Sequence, residues 1–185
     1  MSGDNRGTPA ERVTHACERW GDDEVVQRCA ASLRLRPADR VTGDLLDLAM
    51  VLGGLRERAW LASGKPPGNA YWARVWAARA LRYVWRDSAS AAIVNALHDE
   101  QWRVREMSAK VVADYEVADS ADRLVALLDD DVPRVRKAAV FALATVAEGE
   151  HADAIRALLD DAHPAVARAA AAALATLSGR LDRPF

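Results

Sequence analysis

Hydrophobic and polar positions recur along much of this chain with a step of 31 residues. The pair Val104-Arg105 returns as Val135-Arg136, and Val166 follows at the same step. Further positions that match are Ile93, Leu124 and Ile155; Leu97, Leu128 and Leu159; Asp99, Asp130 and Asp161; and Val112, Leu143 and Leu174. A fixed period of this length over several copies is typical of a repeat protein, in which each unit buries its apolar face on the next.

Each copy predicts two helices. The first is short, as in "SADRLVALLDD", and its apolar residues at spacings of three and four form one stripe. The second is longer, as in "PRVRKAAVFALATVA", and the prolines fit its first turn, where an N–H needs no partner. Its inward positions hold small residues, which predicts a close approach of neighbouring helices. These residues are Ala139, Ala142, Ala170 and Ala173.

The sequence L-L-x-D, a short turn with proline, V-R-x-x-A and an alanine-leucine helix resembles HEAT repeats, particularly the short bacterial type first associated with bilin lyases. The resemblance covers residues 69–178 and implies an all-α fold, a right-handed α-solenoid of antiparallel helix pairs. The family often has Asp before the proline, whereas this chain has Val132 and His163. The resemblance to bilin lyases is confined to the repeat and implies no bilin chemistry.

The recurring aspartates and arginines predict a ladder between repeats. Its members would be Asp99, Asp130 and Asp161 with Arg105 and Arg136. In the third copy the sequence reads Val-Ala-Arg, which displaces the arginine to position 168. An arginine one residue along a helix points elsewhere. We therefore expect the ladder to weaken at its C-terminal end.

The pattern divides the chain into four segments. Terminal units of a solenoid are atypical because they cap the stack, and Pro37 and Gly53-Gly54 separate helices before the repeats begin. The predicted segments are a disordered N-terminus at 1–8; an irregular helical cap at 9–68, with helices near 9–20, 23–35, 41–52 and 54–63; the repeats at 69–178; and a frayed C-terminal tail at 179–185.

The composition is that of a folded protein and argues against several classes of function. The 185 residues are 51% hydrophobic and 28% charged, which predicts a folded soluble chain. The formal net charge of −2 argues against a surface built wholly to hold nucleic acid, although a local basic face remains open. Cys17 and Cys29 lack metal-site spacing, and we interpret them as reduced thiols, with a pairing across a helical hairpin left open. The sequence has no signal-peptide pattern and no membrane-length apolar run, so we predict a cytoplasmic protein.

An aromatic and basic stripe is the most unusual feature of the chain. In "NAYWARVWAARALRYVWRD", residues 69–87, a helix would place Trp72, Trp76, Arg79 and Tyr83 on a face other than its alanine face. If second helices line the concave side, as in HEAT repeats, this stripe continues towards Arg134. The alternative is that the aromatic residues pack against the irregular N-terminal helices.

The sequence predicts no catalytic, cofactor or metal site. Deoxyhypusine hydroxylase, a catalytic branch of the HEAT family, has His-Glu pairs after the Val-Arg step. Here the matching pairs are Glu106-Met107, Lys137-Ala138 and Arg168-Ala169, so those iron ligands are absent. The four histidines are isolated along the chain.

We interpret the chain as a non-enzymatic interaction module that binds a protein or peptide on second helices. The predicted contact residues are Trp72, Trp76, Arg79, Arg103, Arg105 and Arg134. The alternative function is nucleic-acid binding on the same face, since the architecture also resembles bacterial alkylpurine DNA glycosylases. Neither interpretation predicts the oligomeric state.

Overall fold

The computed structural model describes residues 7–54 and 69–185. These residues contain ten α-helices and no strand. The helices are α1 (Pro9–Trp20), α2 (Asp22–Leu33), α3 (Gly43–Gly53), α4 (Asn69–Ala80), α5 (Ser90–Ala96), α6 (Trp102–Tyr115), α7 (Ala121–Ala126), α8 (Pro133–Val146), α9 (Ala152–Arg156) and α10 (Pro164–Leu181). Short 3₁₀ turns extend α7 and α9 at Leu127–Asp129 and Ala157–Asp160.

The chain forms two compact units, Met1–Ala96 and Leu97–Phe185. In the first, α4 packs against α1, α2 and α3, so neighbours cover more than one of its faces. In the second, the long helices α6, α8 and α10 lie side by side, and the short helices α7 and α9 pack on α8 and α10. The second unit therefore has the alternation of short and long helices that the 31-residue period predicts.

The predicted first three helices agree with α1, α2 and α3 to within two residues at each end. The predicted helix at 54–63 and the loop after it lie outside the described residues, except that Gly54 ends α3 in the left-handed conformation, φ 67°. Most of the predicted disordered stretch, residues 1–6, also lies outside them. Thr8 forms a capping box with Glu11 that fixes the start of α1.

The long helices begin where the sequence places them. Pro133 and Pro164 occupy the first turns of α8 and α10, and Trp102 occupies the same position in α6. The inward alanines are buried, which confirms that neighbouring helices come close together. Their exposed fractions do not exceed 1% at Ala139, Ala142, Ala170 and Ala173.

The C-terminal residues fold back on α10. The Phe185 N–H donates to Ser178 Oγ at 3.2 Å, and the Arg183 guanidinium lies 4.5 Å from the centre of the Phe185 ring. The helix α10 itself continues to Leu181, inside the predicted tail, and fraying of the residues after it stays a prediction.

Candidate partner-binding surface

An arginine–aspartate ladder joins successive helix pairs of the second unit. Arg105 Nε donates to Asp130 Oδ2 at 2.6 Å, and Arg136 Nε donates to Asp161 Oδ2 at 2.7 Å. Each aspartate also accepts a backbone N–H two residues later, from Val132 at 2.9 Å and from residue 163 at 2.7 Å. The aspartates thus fix the turn before each long helix and hold the preceding repeat.

Arg105, one of the predicted contact residues, is a member of this ladder. Its side chain is 18% exposed, and a second guanidinium nitrogen donates to the Asp99 carbonyl at 2.8 Å. The guanidinium of Arg105 is therefore already engaged in contacts between and within the repeats. Position 167 is alanine and Arg168 is exposed, so the arginine that would continue the ladder beyond Asp161 is missing at that step, as the sequence predicted.

Arg103 and Arg134 lie together at the ends of α6 and α8. Their guanidinium carbons are 4.4 and 5.4 Å from the centre of the Trp102 ring. Cations attract the face of an aromatic ring, and arginine does so while keeping its N–H groups available for an anion. Trp102 replaces the proline of the other copies, so this contact arises where the repeat pattern is broken.

The buried carboxylate of Glu106 forms ion pairs with one cation of α6 and one of α8. Glu106 is 4% exposed, and its Oε1 accepts from Lys110 Nζ at 2.8 Å and from Arg134 Nη2 at 3.0 Å and Nε at 3.2 Å. The side chain of Arg134 nevertheless remains 66% exposed. Arg134 is thus held from one side by Glu106 and Trp102 and presents its other side to solvent.

These side chains border a groove of about 340 Å³ between α6 and α8. Phe141 forms part of its wall and is 45% exposed, which is unusual for a phenylalanine on the face of a packed helix. Lys137 Nζ lies 5.6 Å from the centre of the Phe141 ring. We call this surface the α6–α8 groove, and its lining residues are Glu106, Lys110, Ala113, Arg134, Lys137, Ala138 and Phe141.

The predicted contact residues of the first unit are less exposed. Trp76 is 8% exposed and packs on the end of α3, where an added Cβ on Gly53 would lie 2.6 Å from its ring. For Trp76 the packing alternative is therefore the one the structure supports. Trp72 is half-buried and stacks on Trp76 with 5.8 Å between ring centres. Arg79 is half-buried, and burial followed by the nearby charge of Arg12 lowers its pKa.

Four groove residues were not among the predicted contact residues, namely Glu106, Lys110, Lys137 and Phe141. Lys110 and Phe141 stand at the same repeat position as Arg79, so a comparison of that position across copies contained the signal. Nothing in the sequence marked Glu106, whose equivalents are Val75, Lys137 and Arg168. Its role arises from the approach of α8, which supplies Arg134.

Residues 7–54 and 69–185 contain no cluster of three His, Cys, Asp or Glu side chains placed to hold a metal ion. No helix in these ranges is both long and apolar enough to span a membrane. Cys17 and Cys29 are free thiols.

The profile of the HEAT repeats family matches residues 68–144 and, a second time, residues 121–184. These matches cover more than half of the chain, so this protein belongs to the HEAT-repeat family. The fold is also similar to a chain in the structure of the complex of CpcE and CpcF of phycocyanin lyase from Nostoc sp. PCC7120. The TM-score is 0.64 at 20% identity, over 97% of this chain and 68% of the other. Comparison with curated protein sequences gives no match.

Family and fold agree with the prediction from the 31-residue period. The protein is an all-α solenoid of HEAT-like helix pairs. The short helix, proline turn and long helix that carried the resemblance in the sequence are the same elements that the structure shows at α7–α8 and α9–α10.

Proposed function

We propose that this protein is a non-enzymatic interaction module that binds an acidic peptide segment of a protein partner in the α6–α8 groove. The observation that carries the proposal is that the half-exposed ring of Phe141 lines the same groove as the Arg134 guanidinium, which Glu106 and Trp102 already hold in place. A partner would bury the ring and pair the cations with its own carboxylates.

Charge complementarity favours an acidic partner. Three cations, Lys110, Arg134 and Lys137, line the groove, whereas Glu106 contributes a single carboxylate. The surface is therefore locally positive on a chain whose net charge is −2. Complementary charge of this kind mainly sets the choice of partner and the rate of association.

Pre-organisation favours Arg134 as an anchor. Ordering a long side chain on binding costs about 0.5–1.5 kcal/mol, and less when the side chain is already held. Arg134 donates two N–H groups to Glu106 and lies over Trp102 before any partner arrives. Arginine and large aromatic residues are also the side chains that most often dominate the energy of an interface.

A protein partner agrees better with these features than nucleic acid does. Nucleic-acid binding depends on neutralising many phosphates, and the charges of this groove include a carboxylate that already engages two of its three cations. A solved structure with a similar fold is that of a complex of two proteins, CpcE and CpcF.

Fluorescence anisotropy of labelled peptides tests the proposal. The first probe is a twelve-residue peptide of alternating Glu and Leu with one Trp, and the matched controls replace Glu by Lys or Leu by Gly. We expect saturable binding of the acidic apolar peptide and at least tenfold weaker binding of both controls. Single-stranded and duplex DNA of about 20 nucleotides are titrated in parallel at 50 mM salt. Tight DNA binding with a steep salt dependence would overturn the peptide proposal in favour of nucleic acid.

Point variants assign the binding to the groove. Phe141→Ala and Arg134→Glu should each weaken the acidic peptide about tenfold, while Arg156→Glu on α9 makes the same charge change outside the groove and should leave binding unchanged. Because Phe141 is half-exposed, its truncation should lower stability by less than about 1 kcal/mol. Equal affinities for wild type and both groove variants would show that the peptide binds elsewhere.

A further inference from the structure

Lys137 on α8 and Arg168 on α10 stand at the same position of the 31-residue period, and both are exposed. The residues beside them are buried to the same extent in the two helices. The matching pairs are Val135 with Val166, both 0% exposed, and Ala138 with Ala169, both 4% exposed. The two helices therefore turn the same face outward, and Lys137 and Arg168 lie on that face.

These two cations are separated by one helix spacing. α8 and α10 pack side by side within the second unit, and the axes of helices packed in this way are about 8–10 Å apart. At the same position α6 has Glu106, whose carboxylate is already paired with Lys110 and Arg134. The row of equivalent positions therefore offers a partner two cations that are about 8–10 Å apart.

That spacing discriminates between the conformations that a bound segment can adopt. Side chains on one face of a β-strand recur every two residues, or about 6.6 Å, and the turns of an α-helix recur about every 5.4 Å. In a polyproline II helix, side chains on one face recur every three residues, or about 9.3 Å. Only the polyproline II repeat places successive side chains of one face opposite Lys137 and Arg168 at the same time.

Phe141 favours the same conformation. It follows Lys137 by one helical turn on α8, its ring is 45% exposed, and Lys137 Nζ lies 5.6 Å from the ring centre. Polyproline II segments bind to surfaces lined by aromatic rings, and they are already extended before binding, so they lose little conformational entropy. Prolines next to an acidic residue at Lys137 would therefore pack on Phe141.

We propose that the partner segment lies across α8 and α10 as a polyproline II helix, with one acidic side chain paired with Lys137 and the next, three residues away, paired with Arg168. Each pair is a charge-assisted hydrogen bond. The inference rests on the proposed function, because the segment is the acidic peptide of the α6–α8 groove. It adds the conformation of that peptide, the spacing of its carboxylates and a contact on α10.

Fluorescence anisotropy with three labelled peptides of twelve residues tests the spacing. The first repeats Glu-Pro-Pro four times. The second has the same four glutamates and eight prolines, but its glutamates alternate with proline at one end, so that no two are three residues apart. The third repeats Glu-Gly-Gly four times, which keeps the spacing and removes the polyproline II preference. We expect the first peptide to bind about fivefold tighter than either of the others. Equal affinity of the first peptide and either of the others would overturn the proposal.

Variants assign the second contact to α10. Arg168→Gln should weaken binding of the Glu-Pro-Pro peptide about threefold, as expected for one exposed ion pair, and leave binding of the second peptide unchanged. Arg180→Gln is the matched control, because it removes one exposed charge from the same helix about 18 Å farther along. It should leave the affinity for all three peptides unchanged. Equal effects of the two substitutions would show that Arg168 makes no specific contact.

Double-mutant cycles place each glutamate. In the peptide Pro-Pro-Glu-Pro-Pro-Glu-Pro-Pro either glutamate is replaced by Gln, and each peptide is titrated with wild type, Lys137→Gln and Arg168→Gln. We expect Lys137 to couple to one glutamate and Arg168 to the other, by about threefold each. Coupling of both cations to the same glutamate would rule out the proposed spacing.

The peptide of alternating Glu and Leu, titrated in parallel, separates this inference from the proposed function. If that peptide binds and the three peptides above bind equally or not at all, the proposed spacing and conformation are wrong, while the groove remains a peptide site. If no acidic peptide binds, the proposed function and this inference are both wrong.

Discussion

Arg136 and Asp161 form a two-pronged ion pair across neighbouring helix pairs, with Nε–Oδ2 at 2.7 Å and Nη2–Oδ1 at 2.8 Å. Their side chains are 15% and 5% exposed. Each of these charges has lost most of its contact with water and interacts with its partner instead. Removing one partner therefore leaves the other charge buried and uncompensated. Arg105 and Asp130 form the equivalent ion pair one repeat earlier, with Nε–Oδ2 at 2.6 Å.

Breaking this pair should destabilise the fold. Arg136→Met leaves the Asp161 carboxylate in place without its partner, and we expect the free energy of unfolding to fall by about 3 kcal/mol. Urea denaturation followed by circular dichroism measures the change. Arg156→Met is the matched control, because its partner Asp153 is largely exposed and the loss should stay below about 1 kcal/mol. Equal losses of unfolding free energy in the two variants would show that the Arg136–Asp161 pair contributes no more to stability than an exposed ion pair.

The same pair should make stability depend on acid. The hydrogen bond from Arg136 is the largest cause that holds the pKa of Asp161 below its ordinary value of 3.8. A carboxylate with a lowered pKa in the folded state contributes stability that is present above the unfolded pKa and is lost as pH falls through the folded one. The stability difference between wild type and Arg136→Met should therefore be constant above about pH 5 and shrink below about pH 4. Denaturation series at several pH values measure it, and a difference that persists undiminished to pH 2 would contradict this account.

Gly53→Ala should destabilise the first unit through Trp76 alone. The added Cβ would lie 2.6 to 2.8 Å from three ring atoms of Trp76, closer than packed carbons approach. We expect a loss of about 2 kcal/mol from this overpacking. In a Trp76→Leu background the ring is gone, so the further cost of Gly53→Ala should largely disappear. A cost that stays the same in both backgrounds would place the effect in the backbone and not in the ring.

Cys17 should react slowly with alkylating reagents. Burial first, then a hydrogen bond with Asp22, raises the pKa of the Cys17 thiol to about 11 from 9.0, and burial also raises the pKa of Cys29. Because the pKa of Cys17 is higher by about two, its thiolate fraction near neutral pH is about a hundredfold smaller than that of an unperturbed thiol. Mass spectrometry after iodoacetamide treatment should show little modification of the folded chain and rapid modification of both thiols in urea. Fast labelling of Cys17 in the folded protein would contradict the raised pKa of its partly buried thiol.

Several features of the fold could be predicted because they depend on local chemistry or on the adjacent repeat. Pro133 and Pro164 begin helices because a proline ring suits a first turn. Ala139 and Ala170 are buried because the helices of neighbouring copies must come within reach of such small side chains. Arg105 and Arg136 recur at the step of the aspartates that they bind, so even the ladder was visible in the spacing.

The candidate site was predicted only in part, and Trp76 shows why. Helical periodicity placed Trp76 away from the alanine face of α4, where a standard repeat would leave it open. In the structure α1 and α3 also pack on α4, and the ring is buried. Periodicity reports which residues share a face, but it does not report which neighbours cover that face.

Arg79 and Phe141 stand at equivalent positions of two repeats but have different environments in the fold. Both occupy the same position of the 31-residue period, and the sequence alone placed both on second helices. Their exposure is the opposite of what their polarity suggests, and it follows from the packing. Arg79 is half-buried beside Arg12 and Leu52, whereas Phe141 is 45% exposed in the α6–α8 groove. The physical reason is that helix identity follows from local spacing, while exposure depends on the helices that pack from outside the repeat.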